Sequence, residues 1–303
     1  MAKRVSKERK QVKPAVVTAA LIKAALSIAR KASAKALFVY GDVRLDLETL
    51  RAIPQPYKII LLSAYPELVA RGREMFGHAL QLPSANLSRI AQFTVSVIMA
   101  ISGKIISPKD KIVFLSGAPE KDSLDVLAVI DVGHEFSLLA SPEMAQFANE
   151  VDHTVFDQLM RIAIEIANEG REGHAVGTIF VLGDTREVLK HVEQMIINPF
   201  KGHSEESRQI LNPGVQETIK ELAQLDGAFI VRPNGVVETA GAYISAQMVP
   251  AALPQGLGSR HYSAAAITAA TRAVAIAISQ STGDIYIFKG GQVVTCIEKN
   301  PGK

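Results

Sequence analysis

Aliphatic runs and amphipathic stretches alternate along the first 130 residues of the chain. Pro14 to Lys31 sets Val17, Leu21, Ala24, Ala25 and Ile28 on one side of a 3.6-residue period, which predicts a helix. Ala36 to Tyr40, Lys58 to Leu62 and Lys111 to Leu115 are short β-branched or aliphatic runs, each followed by a turn signal or a polar helix start. They read as buried strands, with Leu124 to Ile130 as a further one. Strands alternating with helices of this length predict an α/β fold built on a doubly wound parallel sheet.

The pattern changes near Ser141, where Ser141-Pro142-Glu143-Met144 supplies an N-cap, a proline in the first turn and an acid beside it. The helix it opens is expected to run towards Asn168, with Val155, Leu159, Ile162 and Ile166 as its apolar stripe, and to stop at Gly170. Beyond it we expect a strand over Val176 to Leu182, a helix over Thr185 to Met195 and an irregular stretch around Asn198 to Gly202. A helix from Pro213 to Leu225 then leads into a strand over Ala228 to Val231 and a turn at Pro233-Asn234-Gly235. The last third reads as a helix from about Ser259, a strand over Val274 to Ser279, and a hairpin pairing Ile285–Phe288 with Gln292–Thr295 across Lys289-Gly290-Gly291. Three segments result: a tail of residues 1–13, an accessory α/β domain over 14–135, and a second α/β domain over 141–303.

Composition narrows the function classes. At 303 residues, 48% hydrophobic and 21% charged, the chain is an ordinary globular protein with material for two cores. The net charge of +3 is concentrated in the tail, where six basic residues stand against Glu8. The remainder holds 27 basic and 29 acidic residues, so no general nucleic-acid-binding face is expected. A single cysteine, Cys296, forms no internal disulfide and suits a reducing cytoplasm. Lys23, Arg30 and Arg272 interrupt the two most apolar helical stretches, so no membrane span is expected.

General motifs mostly remove options. Neither Gly103-Lys104 nor Gly302-Lys303 sits in a phosphate-binding loop. Gly256-Leu257-Gly258 offers two glycines of a dinucleotide fingerprint, but His261 stands at the third position. No closely spaced histidine pair and no Gly-x-Ser-x-Gly elbow is present.

Two clusters survive. Asp226-Gly227-Ala228 puts a carboxylate at the mouth of a hydrophobic strand, followed by the two smallest residues. It can hold a divalent metal or accept a proton while a ligand approaches the backbone, or it can simply end a helix and turn the chain. Gly258-Ser259-Arg260-His261 opens a small-residue helix, where backbone N–H groups, a hydroxyl and a guanidinium suit phosphate. The plain alternative is a Ser259 N-cap with a solvated Arg260 and a structural His261.

Together, and 34 residues apart, the clusters resemble the two signature motifs of the diadenylate cyclase domain family, DGA and RHR. Gly177 to Asp184, Asn198-Pro199-Phe200, Ala240 to Ile244, and Ser279 with Thr282-Gly283 agree with it, so that the resemblance spans residues 141 to 298. It implies an α/β domain with a mixed central sheet that condenses two ATP into cyclic di-AMP and two pyrophosphates. It also implies Mn²⁺ or Mg²⁺ as cofactor and self-association, at least to a dimer with facing catalytic domains. Asp226, Arg260 and His261 would be the catalytic residues. Gly227, Ala228, Ile244, Gly258, Ser259, Arg260 and Ser279 would bind the nucleotide. Asp226, Gln280 and His261 would be the candidate metal ligands, and His261 alternatively contacts phosphate or supports the site from behind. Tyr262 replaces the second arginine of RHR, and Gln280 stands where many members carry a metal-binding glutamate. These two departures leave open a non-catalytic sensor of ATP or cyclic di-AMP.

The first domain resembles the C-terminal domain of pyruvate kinase through Tyr65 to Arg71, Leu80 to Pro83 and Ser107 to Pro119. That implies a subunit-contact or effector-sensing role, with the turn at Ser116 to Pro119 as the place for an anion.

Overall fold

The computed structural model describes residues 14–52, 56–83, 87–118, 121–137, 141–246, 253–254 and 256–300. The basic tail and Pro119 lie outside the described residues. The chain divides into two compact units, one of residues 1–81 with 111–130, the other of 82–110 with 131–303.

In the first unit, α1 (Pro14–Lys31), β1 (Ala36–Tyr40), α2 (Leu47–Arg51), β2 (Lys58–Ser63), α3 (Pro66–Phe76) and β3 (Ala79–Gln81) follow in order, and β4 (Lys111–Ala118) and β5 (Ser123–Asp131) complete the sheet. Its strand order is β3-β2-β1-β4-β5. β1 pairs in parallel with β2 and β4, and β2 with β3, as the alternation predicts. All five residues of β1 are buried, so it carries no polar face. Phe38 and Phe114 stack across β1 and β4 at 5.4 Å. Ser116 to Ala118, expected as a turn, instead prolong β4, and the Ser116 side chain is buried.

The second unit takes in α4 (Arg89–Ser102) and then α5 (Val132–Glu135), α6 (Pro142–Glu150), α7 (His153–Glu169), β6 (Ile179–Leu182), α8 (Thr185–Val188), β7 (Val192–Gln194) and α9 (Pro213–Leu222). β8 (Ala228–Val231), β9 (Val237–Ile244), α10 (Ser259–Ala270), β10 (Val274–Ile278), β11 (Ile285–Lys289) and β12 (Gln292–Ile297) finish it. Its seven-stranded sheet has the order β12-β11-β10-β6-β8-β9-β7. Among the described residues β6 and β8 pair in parallel, and the other pairings of this sheet are antiparallel. This is the mixed sheet expected of the second domain.

Two helix expectations are corrected. The helix foreseen from Ser141 to Asn168 is two helices, because Val151 is extended and the Asp152 carboxylate caps the second by accepting from the Thr154 N–H at 2.9 Å. The helix foreseen over Thr185 to Met195 stops at Val188. Val192–Gln194 forms an edge strand against Ala242–Ile244. Long-range pairing there outweighs the helix preference of Glu193 and Gln194.

The sheet is covered on both faces. Ile179 and Val181 of β6 and Ala228 and Ile230 of β8 join one apolar cluster with Ala264, Ala265 and Ile267 of α10. Alanines on that face let the helix lie close to the strands. The alternate residues Phe180 and Phe229, stacked at 5.0 Å, belong to the opposite face.

Asp157 on α7 is the most perturbed carboxyl of this unit. Burial drives its pKa up to about 7 against the opposing pull of Arg161, and its Oδ1 has no hydrogen-bond partner. A raised carboxyl stabilises the fold fully below the ordinary value near 3.8 and loses that contribution as pH rises through about 7. Asp157→Asn is therefore expected to raise Tm at pH 8 and to flatten the fall in Tm between pH 5 and 8, on the order of 2–4 °C per kcal/mol regained. Thermal melts across that range check it, and an unchanged pH profile contradicts it.

Candidate active site

Asp226 ends the connection that leaves α9, and Gly227 turns the chain into β8. Gly227 has φ +101°, in the left-handed region. A Cβ there would stand 2.6 Å from the carbonyl carbon of Gly241 and 2.8 Å from the Ala242 nitrogen. The glycine is thus required first by the neighbouring strand, where Ala228 pairs with Ala242. Gly227→Ala should cost about 1–3 kcal/mol in backbone strain and lower Tm by roughly 2–4 °C for each kcal/mol. An unchanged Tm would show that the backbones have room to separate.

On the other side of the site, α10 begins at Ser259. Its N-cap is Gly258, not Ser259 as the plain reading has it. The Gly258 N–H donates to Nδ1 of His261 at 3.2 Å, and the imidazole sits edge-on to Tyr286 with ring centroids 4.7 Å apart. His261 is buried, and burial, with Arg260 adding to it, lowers its pKa. The neutral ring, accepting at Nδ1, carries its proton on Nε2, which is buried without a partner. His261 therefore tightens the helix start.

With α10 fixed in this way, Arg260 reaches across the mouth of β8. Its Nη2 lies 3.0 Å from Oδ1 of Asp226, and its Nη1 donates to Oε1 of Gln280 at 3.2 Å. The Asp226 side chain is 80% exposed and that of Arg260 29%. An ion pair this open to water contributes roughly 0–1 kcal/mol, so an incoming phosphate opens it easily.

Asp226, Gly227, Ala228, Ile244, Ser259 and Arg260 line one cavity of about 220 Å³. The two motifs therefore share a site. The cavity lies at the N-terminal ends of the parallel pair, beside Ile179 and Ala228, whereas open α/β sheets usually bind ligands at the carboxyl ends. Backbone N–H groups at the start of α10 and the Arg260 fork suit an anion.

Gly258, His261, Ser279 and Gln280 are not among the lining residues. Ser279 is occupied in its own turn: its Oγ accepts from the Thr282 N–H at 3.3 Å and lies 3.2 Å from the Ser281 hydroxyl. Tyr262 is half exposed and also stands outside the lining. The cavity also includes Tyr243, within the Ala240 to Ile244 segment, and Met195 and Ser263, which the motifs do not point to. Ser263 was within reach of the sequence, since it repeats Ser259 one helical turn on. Met195 follows the edge strand Val192–Gln194, where the sequence pattern predicts helix.

Among the described residues no group of three or more His, Cys, Asp or Glu side chains is placed to hold a metal. One carboxylate does fit an ion that arrives on a nucleotide's phosphates and keeps much of its water, as Mg²⁺ does.

Such a cleft, with a carboxylate at a strand mouth facing an arginine on a helix N-terminus of an α/β domain, suits the phosphates of a nucleotide. Residues 165–293 match the family model described as DisA bacterial checkpoint controller nucleotide-binding, abbreviated DAC, and residues 18–139 match the model described as probable sensor domain DacZ_P. The matched part of the C-terminal domain is similar to the diadenylate cyclase domain family. A diadenylate cyclase of Methanocaldococcus jannaschii is 37% identical over 199 residues, covering 65% of this chain and 63% of that protein. A diadenylate cyclase of Haloferax volcanii is 35% identical over 154 residues, covering 50% of this chain and 56% of that protein. The chain thus matches about three fifths of the length of these relatives. The crystal structure of a cysteine double mutant of DacA from Staphylococcus aureus is similar at 19% identity and a TM-score of 0.32, over 48% of this chain and 87% of that one. Pyruvate kinase from Cryptosporidium parvum is matched at a TM-score of 0.33 and 15% identity, over 41% of this chain and 24% of that one. Among the described residues no helix is long and apolar enough to cross a membrane.

Proposed function

We propose that the chain is a diadenylate cyclase that condenses two ATP into cyclic di-AMP and two pyrophosphates. The observation that carries this reading is the meeting of Asp226 and Arg260, 34 residues apart in sequence, at one cavity beside the start of α10. In each half-reaction a 3′-oxygen bonds to the α-phosphorus of the other ATP, the bond from that phosphorus to the bridging oxygen breaks, and pyrophosphate leaves. The hydroxyl proton passes to a base or to water.

Asp226 draws the 3′-hydroxyl into line and favours its loss of a proton. Arg260 and the first N–H groups of α10 hold the phosphates and offset the charge gathering on the leaving pyrophosphate. Ser259 and Ser263, one turn apart on α10, offer further hydrogen bonds, and Ile244 and Ala228 supply apolar wall for the base. A divalent ion, Mn²⁺ or Mg²⁺, bound through Asp226 and the phosphates, would lower the pKa of the attacking hydroxyl and neutralise phosphate charge. Arg260 moves from the carboxylate to the phosphates as the nucleotide enters.

One cavity presents one α-phosphate, so reciprocal attack needs two cavities facing each other across a two-fold axis. The functional division we adopt is residues 14–135 as the sensing or assembly domain and 141–303 as the catalytic one. The test is to incubate the protein with ATP and either metal, identify products by mass, and repeat across a dilution series. A cyclic dinucleotide whose specific rate falls on dilution supports the reading. ATP bound and returned unchanged with both metals overturns it and favours a sensor.

A further inference from the structure

We propose that Gln280 is a positioning residue for Arg260: a neutral tether that aims the guanidinium while leaving its charge free for phosphate. This rests on the nucleotide reading of the cavity and adds a specific task for a side chain outside its lining.

The backbone of Gln280 is held firmly. A Cβ on Gly177 would lie 2.7 Å from the Gln280 Cβ and 2.9 Å from its nitrogen, so the backbone of residue 177 packs directly against it. The turn that follows is closed by the Ser279 N–H donating to the Asp284 carbonyl and the Gly283 N–H to the Ser279 carbonyl, both at 2.8 Å. Ser279 thus builds the mount on which Gln280 stands. From this mount the amide oxygen accepts from Nη1 of Arg260 at 3.2 Å, and Nη2 remains directed at the mouth of the cavity.

The acceptor's lack of charge is the point of the arrangement. Among the described residues that line the cavity, Arg260 alone is a cation. A carboxylate at position 280 would pair with it as Asp226 does, and a triphosphate would then have to displace two anions to reach one guanidinium. An amide orients the fork through one ordinary hydrogen bond and leaves its net charge intact.

The experiment measures ATP affinity in EDTA, which keeps metal ligation out of the readout, for wild type, Gln280→Ala, Gln280→Glu, Arg260→Ala and the Arg260→Ala/Gln280→Ala double variant. Gln280→Ala is expected to weaken ATP binding about three- to tenfold in the wild-type background and to have no further effect once Arg260 is gone. Gln280→Glu is expected to lose more, with part of the loss recovered as salt is raised and the added charge is screened. Gln280 is exposed, so these variants are expected to keep the wild-type Tm. Gln280→Ala affinity within twofold of wild type, or an equal loss in both backgrounds, overturns the tether while the nucleotide site stands. A wild-type protein that binds no ATP overturns the site and the tether together.

Discussion

Asp226→Asn is expected to reduce the rate of cyclic di-AMP formation by about 10²–10⁴-fold, the range over which a positioned acid or base contributes, while ATP affinity stays within about tenfold. The asparagine keeps the size of the side chain but has neither the charge to hold a divalent ion nor the basicity to draw off the hydroxyl proton. The fold should not suffer, because the Asp226 side chain is largely in water and its bond to Arg260 contributes little. Single-turnover rates and equilibrium ATP binding, measured on the same sample, separate the two effects. Wild-type turnover in this variant would remove Asp226 from the chemistry.

Arg260→Ala should act on both binding and rate. Losing the only cation among the described lining residues removes a donor aimed at accumulating charge, an effect of about 10²–10³ in kcat for one such donor. ATP affinity should also fall by about tenfold or more, since the phosphates lose a charged fork. Arg260→Lys should recover little, because a lysine ammonium cannot span the Gln280 amide and a phosphate with one planar group. Steady-state kinetics that show KM rising with kcat unchanged would confine Arg260 to ground-state binding.

Much of the fold could be read from local pattern where local pattern is decisive. The limits of α1 and β1 emerge from an amphipathic period and an uninterrupted aliphatic and aromatic run. The closing hairpin is marked by Gly290 and Gly291, both at positive φ. What escaped the reading depends on distant partners. β7 is a strand because β9 offers an edge, although its own residues favour helix. α4 is buried from Ala91 to Ala100 on nearly every side, so it has no polar stripe to announce it, and it packs with α7 and β12 across the expected domain boundary.

The site divides in the same way. Asp226, Arg260 and Ser259 were legible because carboxylate, guanidinium and hydroxyl stand beside small residues at element ends. The tasks of Gly227 and His261 were not, because each is set by a neighbour remote in sequence: the Gly241 backbone for one, Tyr286 on β11 for the other. The part Ser279 plays in the turn that carries Gln280, where its Oγ accepts from the Thr282 N–H, is likewise set by contacts that the motif does not announce.

The most direct test of the account follows the phosphorus. ³¹P NMR of ATP turning over on the wild-type protein with Mn²⁺ replaced by Mg²⁺, to avoid paramagnetic broadening, reports every product at once. The account predicts two pyrophosphates for each cyclic phosphodiester pair formed, with neither signal growing in the Asp226→Asn variant. Orthophosphate with ADP, or pyrophosphate released without a cyclic product, would mean that the Asp226–Arg260 cavity does different chemistry from the one assigned to it.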